Sequence, residues 1–290
     1  MLPRPTAVNI GVIVLTVAES VQASSYATVA ASVVPGSYYW MYKDKRERQM
    51  TLAMQAVADL LPSTLSRVAQ WGGGDGLQCE SLVRQGVRCV SFDLSWPMLH
   101  LGRRLAQHHG YTIDTVTGSA ARPVPFRDGV FDLHMALSTL NHLDPETWDV
   151  YMAERVRTTR PGGVIFDVVP NLDNRDIYER PDFLALRESG REQEWLGCVT
   201  TDRLVALYQR HVCQCRVVTF DRVPDELAIV SLFERAWWLL TRRRGRRYPN
   251  TLYHTLFGSL AALDDRGWRV PGVLWAQPKW LLVAGVRTNR

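Results

Sequence analysis

The chain has 290 residues, 46% hydrophobic and 22% charged. These values suit a soluble globular protein, exclude a disordered, collagenous or fibrous chain, and allow a sizeable core. Thirty-four Lys and Arg against 29 Asp and Glu leave +5, nearly all of it arginine, since Lys43, Lys45 and Lys279 are the only lysines. Arg242, Arg243, Arg244, Arg246 and Arg247 equal that excess by themselves. The rest of the chain is formally neutral, so bulk affinity for nucleic acid is not expected.

Residues 7–18 form an apolar run shorter than the roughly 20 residues of a bilayer span. A signal peptide would rest its basic region on Arg4 alone, so a buried strand or helix, a swapped arm or an upstream mis-assigned start is preferred. A helix is predicted over 46–61, preceded by Tyr38, Tyr39 and Trp40, which either close over a ligand or anchor the core. A strand over 65–71 runs into Gly72-Gly73-Gly74-Asp75-Gly76, and a helix over 77–85 stops at Gly86. There follow a strand over 87–93, a helix to about residue 108 and strands over 111–116 and 130–137. A helix over 145–158 carries Pro145 in its first turn. After an Arg160-Pro161-Gly162-Gly163 turn come a strand over 163–169, a helix over 201–211 and a strand over 215–220. Helical patterns at 227–240 and 251–263 precede a last strand over 279–286.

Strands alternating with helices predict βαβ units in an α/β, Rossmann-like, doubly wound and mostly parallel sheet of about seven strands. The organisation that follows is an accessory segment over 1–50, a core over 51–222, a helical insertion over 223–278 that lids the substrate, and the last core strand over 279–290. The odd set of Cys79, Cys89, Cys198, Cys213 and Cys215 is not a disulfide framework. Cys213 and Cys215 have CxC spacing but no second pair or His cluster nearby, so no metal site is expected. Reduced thiols point to a cytoplasmic protein.

The glycine cluster follows a strand and opens a helix, where backbone can approach a ligand and free N–H groups face a polar moiety. Asp93 ends the second strand, where an acid accepts hydrogen bonds from ribose hydroxyls in doubly wound folds. In this order and spacing the two features predict a nucleoside site. A dinucleotide fingerprint, G-x-G-x-x-G, needs a third glycine where Leu77 stands. The cluster reads G-x-G-x-G instead, which fits a cofactor without a pyrophosphate.

At these residues the chain resembles the class I S-adenosylmethionine-dependent methyltransferases, especially their small-molecule-modifying branch. Residues 68–76 look like the first motif of that family and 91–99 like its acidic strand end. Residues 118–126 resemble its adenine-contacting loop, 129–132 its fourth strand, 140–144 the segment after it, and 155–163 the turn before strand five. The resemblance implies S-adenosyl-L-methionine lying over Gly72, Gly73, Gly74 and Gly76 with its ribose on Asp93. It implies Leu94 and Met98 flanking the adenine, Ser119 and Ala120 at its edge, and Ala136 near the sulfonium. Gln70 stands where the family carries an acid for the cofactor's amino group, and Ser119 where it often carries Asp. The function implied is methyl transfer to O, N or C of a small-molecule acceptor, as in secondary metabolism. His142 is the candidate base where the acceptor must lose a proton. The two departures leave an alternative, a catalytically weak or inactive binding or scaffold protein of the same fold. Trp237 and Trp238, followed by the arginine run at 242–247, read as a solvated loop ending a packed helix, as a peripheral membrane or lipid-like contact, or as a phosphate-binding patch. With no nucleic-acid-binding motif beside it, the run does not indicate specific RNA binding. Homo-oligomerisation is compatible with the sequence.

Overall fold

The computed structural model describes residues 35–172, 199–221, 250–268 and 278–288, together with Ala27 and Ala30. Trp237, Trp238, the arginine run at 242–247 and the helix predicted at 227–240 lie outside the described residues. So do the side chains of Tyr38, Tyr39 and Trp40.

Seven strands form one sheet in the order β3-β2-β1-β4-β5-β7-β6. They are β1 Arg67–Trp71, β2 Arg88–Asp93, β3 Asp114–Thr117, β4 Phe131–Leu137, β5 Thr159–Pro170, β6 Cys213–Phe220 and β7 Trp280–Val286. The first five are parallel, and β7 runs antiparallel to both β5 and β6. The chain moves outward from β1 to β3 and then returns to place β4 on the other side of β1. That reversal leaves a crevice at the carboxyl ends of β1 and β4, where ligands bind in open α/β sheets.

The described helices are α1 Pro35–Ala56, α2 Glu80–Arg84, α3 Trp96–His108, α4 Trp148–Thr158, α5 Thr201–His211 and α6 Asn250–Asp265. On β4, Leu133, Met135 and Leu137 face one core, shared with Met50 and Ala53 of α1, Val57 just past its end, Leu82 of α2 and Ala106 of α3. Ala136 faces the other, with Tyr151 and Met152 of α4 and Leu204, Leu207 and Tyr208 of α5. Both faces are therefore covered, which is why β4 is buried along its whole length. Each fully buried Leu, Val or Met contributes roughly 1.5–3 kcal/mol of transfer free energy.

Several boundaries differ from the sequence expectation, each for a local reason. α1 opens at Pro35, whose fixed φ suits a first turn. The helix predicted over 77–85 is a 3-10 turn, Leu77–Cys79, followed by the short α2. β3 starts at Asp114 because its ladder with β2 begins there, although Tyr111 and Ile113 already bury their side chains. The turn predicted at 160–163 lies inside β5 as an irregularity between the Phe131↔Thr159 and Leu133↔Val164 pairs, with Gly162 at φ 74°. The CxC pair lies on β6, where the register with β7 shifts between Cys213 and Arg216 and Gln214 has φ 53°. Among the described residues no helix is long and apolar enough to cross a membrane.

A buried polar network pins α4 and α5 to the sheet behind the crevice. Arg155 Nη1 donates to Asp167 Oδ2 at 2.5 Å, with both side chains almost wholly buried. Tyr151 donates its hydroxyl to Asp167 Oδ1 at 2.6 Å, and Tyr208 donates to Oδ2. Arg155 Nη2 reaches the carbonyls of Phe166 and His134. Burial works most strongly against the Arg155 charge, but Asp167, Tyr151 and Tyr208 together outweigh it and hold the guanidinium protonated. Trp71 Nε1 donates to His134 Nδ1 at 2.7 Å. A tryptophan can only donate, so the ring proton of His134 belongs on Nε2, 3.1 Å from Thr158 Oγ1. Thr158 in turn donates to the Glu154 carbonyl. Burial, and then the charge of Arg155, keep His134 neutral, well below its ordinary range.

Candidate functional site

The glycine loop leaves β1 at the crevice with Gly72, Gly74 and Gly76 all left-handed, at φ 58°, 49° and 68°. Glycine reaches these angles without the penalty other residues incur. Gly72 and Gly73 are also required by closeness. An added Cβ would lie 2.3 Å from Thr139 Oγ1 at Gly72 and 2.2 Å from Ser91 Oγ at Gly73. Gly74 is different, because a Cβ there would meet only Met98 Cε, at 3.7 Å. Its surroundings are open, and a side chain would occupy space that the backbone leaves clear.

Asp93 lies across from this opening. Its Oδ2 accepts the Gly74 N–H at 2.8 Å and its Oδ1 the Ser95 N–H at 2.7 Å. The Leu94 N–H also bonds this carboxylate, and a carboxylate accepts about four bonds, so it keeps acceptor capacity. Burial raises the Asp93 pKa above the ordinary carboxylate range and the charge of Asp75 adds to it, while the Ser95 and Gly74 N–H groups pull it down. The loop is tied to β2 by Gly73 N–H on the Phe92 carbonyl, and the loop after β3 by Gly118 N–H on the Asp93 carbonyl. These bonds bring the 118–120 segment to the same edge. There Ser119 Oγ accepts the Ala121 N–H, and Ser119 is buried with Ala120 half-buried. Leu94 is half-buried beside Asp93, and Met98 is buried with Leu77, Leu101 and Leu105.

Other predicted residues have different surroundings. Gln70 is buried, donating from Nε2 to Gln78 Oε1 at 2.8 Å and accepting the Cys79 thiol on Oε1 at 2.9 Å. Ala136 is fully buried in the core beneath the crevice. His142 ends the 3-10 turn Leu140–His142 after β4 and is half-buried. The same turn is tied to the glycine loop by Thr139, whose hydroxyl donates to the Trp71 carbonyl at 2.8 Å.

Two residues were not singled out from the sequence. Ser138, just past β4, is left-handed at φ 56° and donates its N–H to the Val168 carbonyl at 2.7 Å. Such backbone strain in a non-glycine residue clusters at functional sites, but no residue type announces it. Asp75 is fully buried inside the loop, and its place as the one charged residue between two glycines was the available signal. Its Oδ2 and the Ser95 hydroxyl are buried without a hydrogen-bond partner among the described residues. An open cradle at Gly74, a carboxylate with spare acceptor capacity and buried polar atoms awaiting partners fit a nucleoside with a polar tail. Among the described residues no three His, Cys, Asp or Glu side chains are grouped to hold a metal ion.

Residues 69–167 match the family described as a methyltransferase domain. No curated protein matches the chain in sequence. Among solved structures, geranyl diphosphate C-methyltransferase from Streptomyces coelicolor A3(2) superposes with a TM-score of 0.56 at 12% identity, covering 94% of this chain and 98% of that one. A SAM dependent methyltransferase from Archaeoglobus fulgidus gives 0.51 at 14% identity, covering 86% and 100%. Phosphoethanolamine N-methyltransferase 2 from Haemonchus contortus gives 0.52 at 14% identity, covering 82% of this chain and 53% of that chain, about half its length. At such identities the likeness is one of fold. The sheet therefore carries the α/β fold of the S-adenosylmethionine-dependent methyltransferases, and residues 69–167 within it match the methyltransferase-domain model.

Proposed function

We propose that this protein transfers a methyl group from S-adenosyl-L-methionine to an O, N or C atom of a small-molecule acceptor by in-line displacement. The observation that carries the reading is the pairing of the open Gly74 with Asp93 at the switch point of a methyltransferase-type sheet. When bound, the cofactor supplies an already electrophilic sulfonium methyl, so the protein's task is positioning. Asp93 would accept from the ribose hydroxyls, Leu94 and Met98 would flank the adenine, and Ser119 and Ala120 would meet its edge. The loop of Gly72, Gly73, Gly74 and Gly76 would carry the amino-acid tail, with Gln70 below it. Ala136, at the end of β4, would sit near the sulfonium. His142 would take a proton from an acceptor that must lose one, from its place after β4. Small acceptors figure in the names of two fold relatives, geranyl diphosphate and phosphoethanolamine, which supports the acceptor class.

A second reading keeps cofactor binding or the fold alone and drops turnover. It is favoured by Gln70, whose amide is already engaged by Gln78 and Cys79. Titration calorimetry with S-adenosylmethionine and S-adenosylhomocysteine tests the first step, and binding of neither at sub-millimolar concentration would refute the proposal. Given binding, Asp93→Ala should weaken it more than about tenfold, the cost of a charge-assisted hydrogen bond. Unchanged affinity would remove Asp93 from the site.

A further inference from the structure

The loop around Gly74 contains three left-handed glycines, and glycine loses more backbone freedom on ordering than any other residue. Something outside the loop must hold its shape. From one side Asp93 takes the Gly74 N–H. From the other, Asp75 is drawn to α1. Its Oδ1 accepts Arg46 Nη1 at 2.5 Å and the Leu77 N–H at 3.2 Å, and its side chain is fully buried while that of Arg46 is 24% exposed. The loop backbone has no slack at this point, since a Cβ on Gly102 of α3 would lie 2.4 Å from the Asp75 carbonyl oxygen.

α1 itself is firmly seated. Its Met50 and Ala53 are buried in the core, as is Val57 just past its end. Arg48 binds Asp221 at the end of β6 at 3.2 Å, Asp264 at 2.9 Å and Asp265 at 3.0 Å, the latter two on α6. Lys279 holds the other oxygen of Asp221 at 3.0 Å. Arg46 thus transmits a fixed framework to the loop, and a buried carboxylate without its cation would leave the interior for water.

We infer that Arg46 is a positioning residue for the cofactor: by holding Asp75 it sets the glycine loop in the shape that exposes Gly74, and it links α1 to occupancy of that loop. The inference rests on the reading that this loop receives S-adenosylmethionine. The charge of Asp75 felt at Asp93 is consistent with the two carboxylates bracketing one site.

The test is calorimetry with S-adenosylhomocysteine on wild type, Arg46→Gln, Asp75→Asn, the double variant and Arg46→Lys, with a ligand-free melting curve for each. Asp75→Asn keeps an acceptor for the Leu77 N–H, and Arg46→Gln leaves every loop residue in place. Each single variant should raise Kd about tenfold, as loss of a largely buried ion pair allows. The double variant should match the singles, and Arg46→Lys should recover part of the loss. Hydrogen exchange adds a readout that simple stability does not move: bound S-adenosylhomocysteine should slow exchange of α1 amides in wild type and not in Arg46→Gln. Singles within twofold of wild type, a double loss equal to the product of the two, or equal protection of α1 in both proteins would each overturn the inference. Failure of wild type to bind would show before any variant is compared, and would bring down the S-adenosylmethionine reading along with it.

Discussion

Asp167→Asn is the most informative single change to the framework behind the site. The substitution conserves shape and removes one charge from a place with almost no water. Three donors converge on the carboxylate: Arg155 Nη1 at 2.5 Å, the Tyr151 hydroxyl at 2.6 Å and the Tyr208 hydroxyl. An amide offers one oxygen for them and sets an NH2 group against at least one donor. Arg155 remains fully buried with its charge uncompensated, and removing one partner of such a pair costs about 3–5 kcal/mol. The control is Arg88–Asp114, 2.8 Å apart with side chains 70% and 50% exposed. Asp114→Asn there should cost about 0–1 kcal/mol, because water screens the pair. Urea unfolding of both variants, compared at equal m values, separates the two cases. With total stability near 5–15 kcal/mol, Asp167→Asn should remove about a fifth of it or more, and Tyr208→Phe about 1 kcal/mol. Asp167→Asn within 1 kcal/mol of wild type would refute the idea that this pair secures α4 and α5 to β5.

Other consequences follow from the same geometry. Because the pKa of His134 is depressed on folding, its contribution is fully present above the unfolded value of about 6.5 and is lost as pH falls below it, by up to about 1.4 kcal/mol per pH unit. The urea midpoint measured from pH 8 to 5 should decline accordingly, and His134→Asn, which keeps an acceptor for Trp71, should flatten the decline; identical pH curves would contradict the assignment. Gly72→Ala meets both a left-handed backbone and the Thr139 side chain, whereas Gly86, at φ 83°, has nothing within 4 Å of an added Cβ. Gly86→Ala should cost about 1–2 kcal/mol of backbone strain, and Gly72→Ala about 1–3 kcal/mol more from overpacking. Equal losses in chemical denaturation would show that Thr139 yields.

Much of the site was legible because its signals are local. The spacing from the glycine cluster to Asp93 depends only on one strand–loop–helix–strand unit, and the Gly74–Asp93 hydrogen bond is the physical form of that spacing. Ser138, Asp75 and Arg46 were not legible in the same way. The strain at Ser138 is set by how β4 ends against β5, and the value of Asp75 depends on a helix 29 residues away in sequence. Gln70 was placed on the right strand, but its partners Gln78 and Cys79 come from the turn that follows the loop.

The +5 charge resolves along the same line. The sequence alone located that excess at 242–247 and left the remainder neutral, while alternation of apolar runs with turn residues indicated a mostly parallel α/β sheet, since both patterns reflect contacts between near neighbours. Which charges meet inside it was decided only by tertiary structure. Arg48 reaches acids more than 170 positions away, just past β6 and on α6, and Arg155 stays buried because Asp167 of the adjoining strand and Tyr208 of α5 are brought to the same point. Charge compensation across such distances follows from the way the helices pack on the sheet, and no pattern along the chain encodes it.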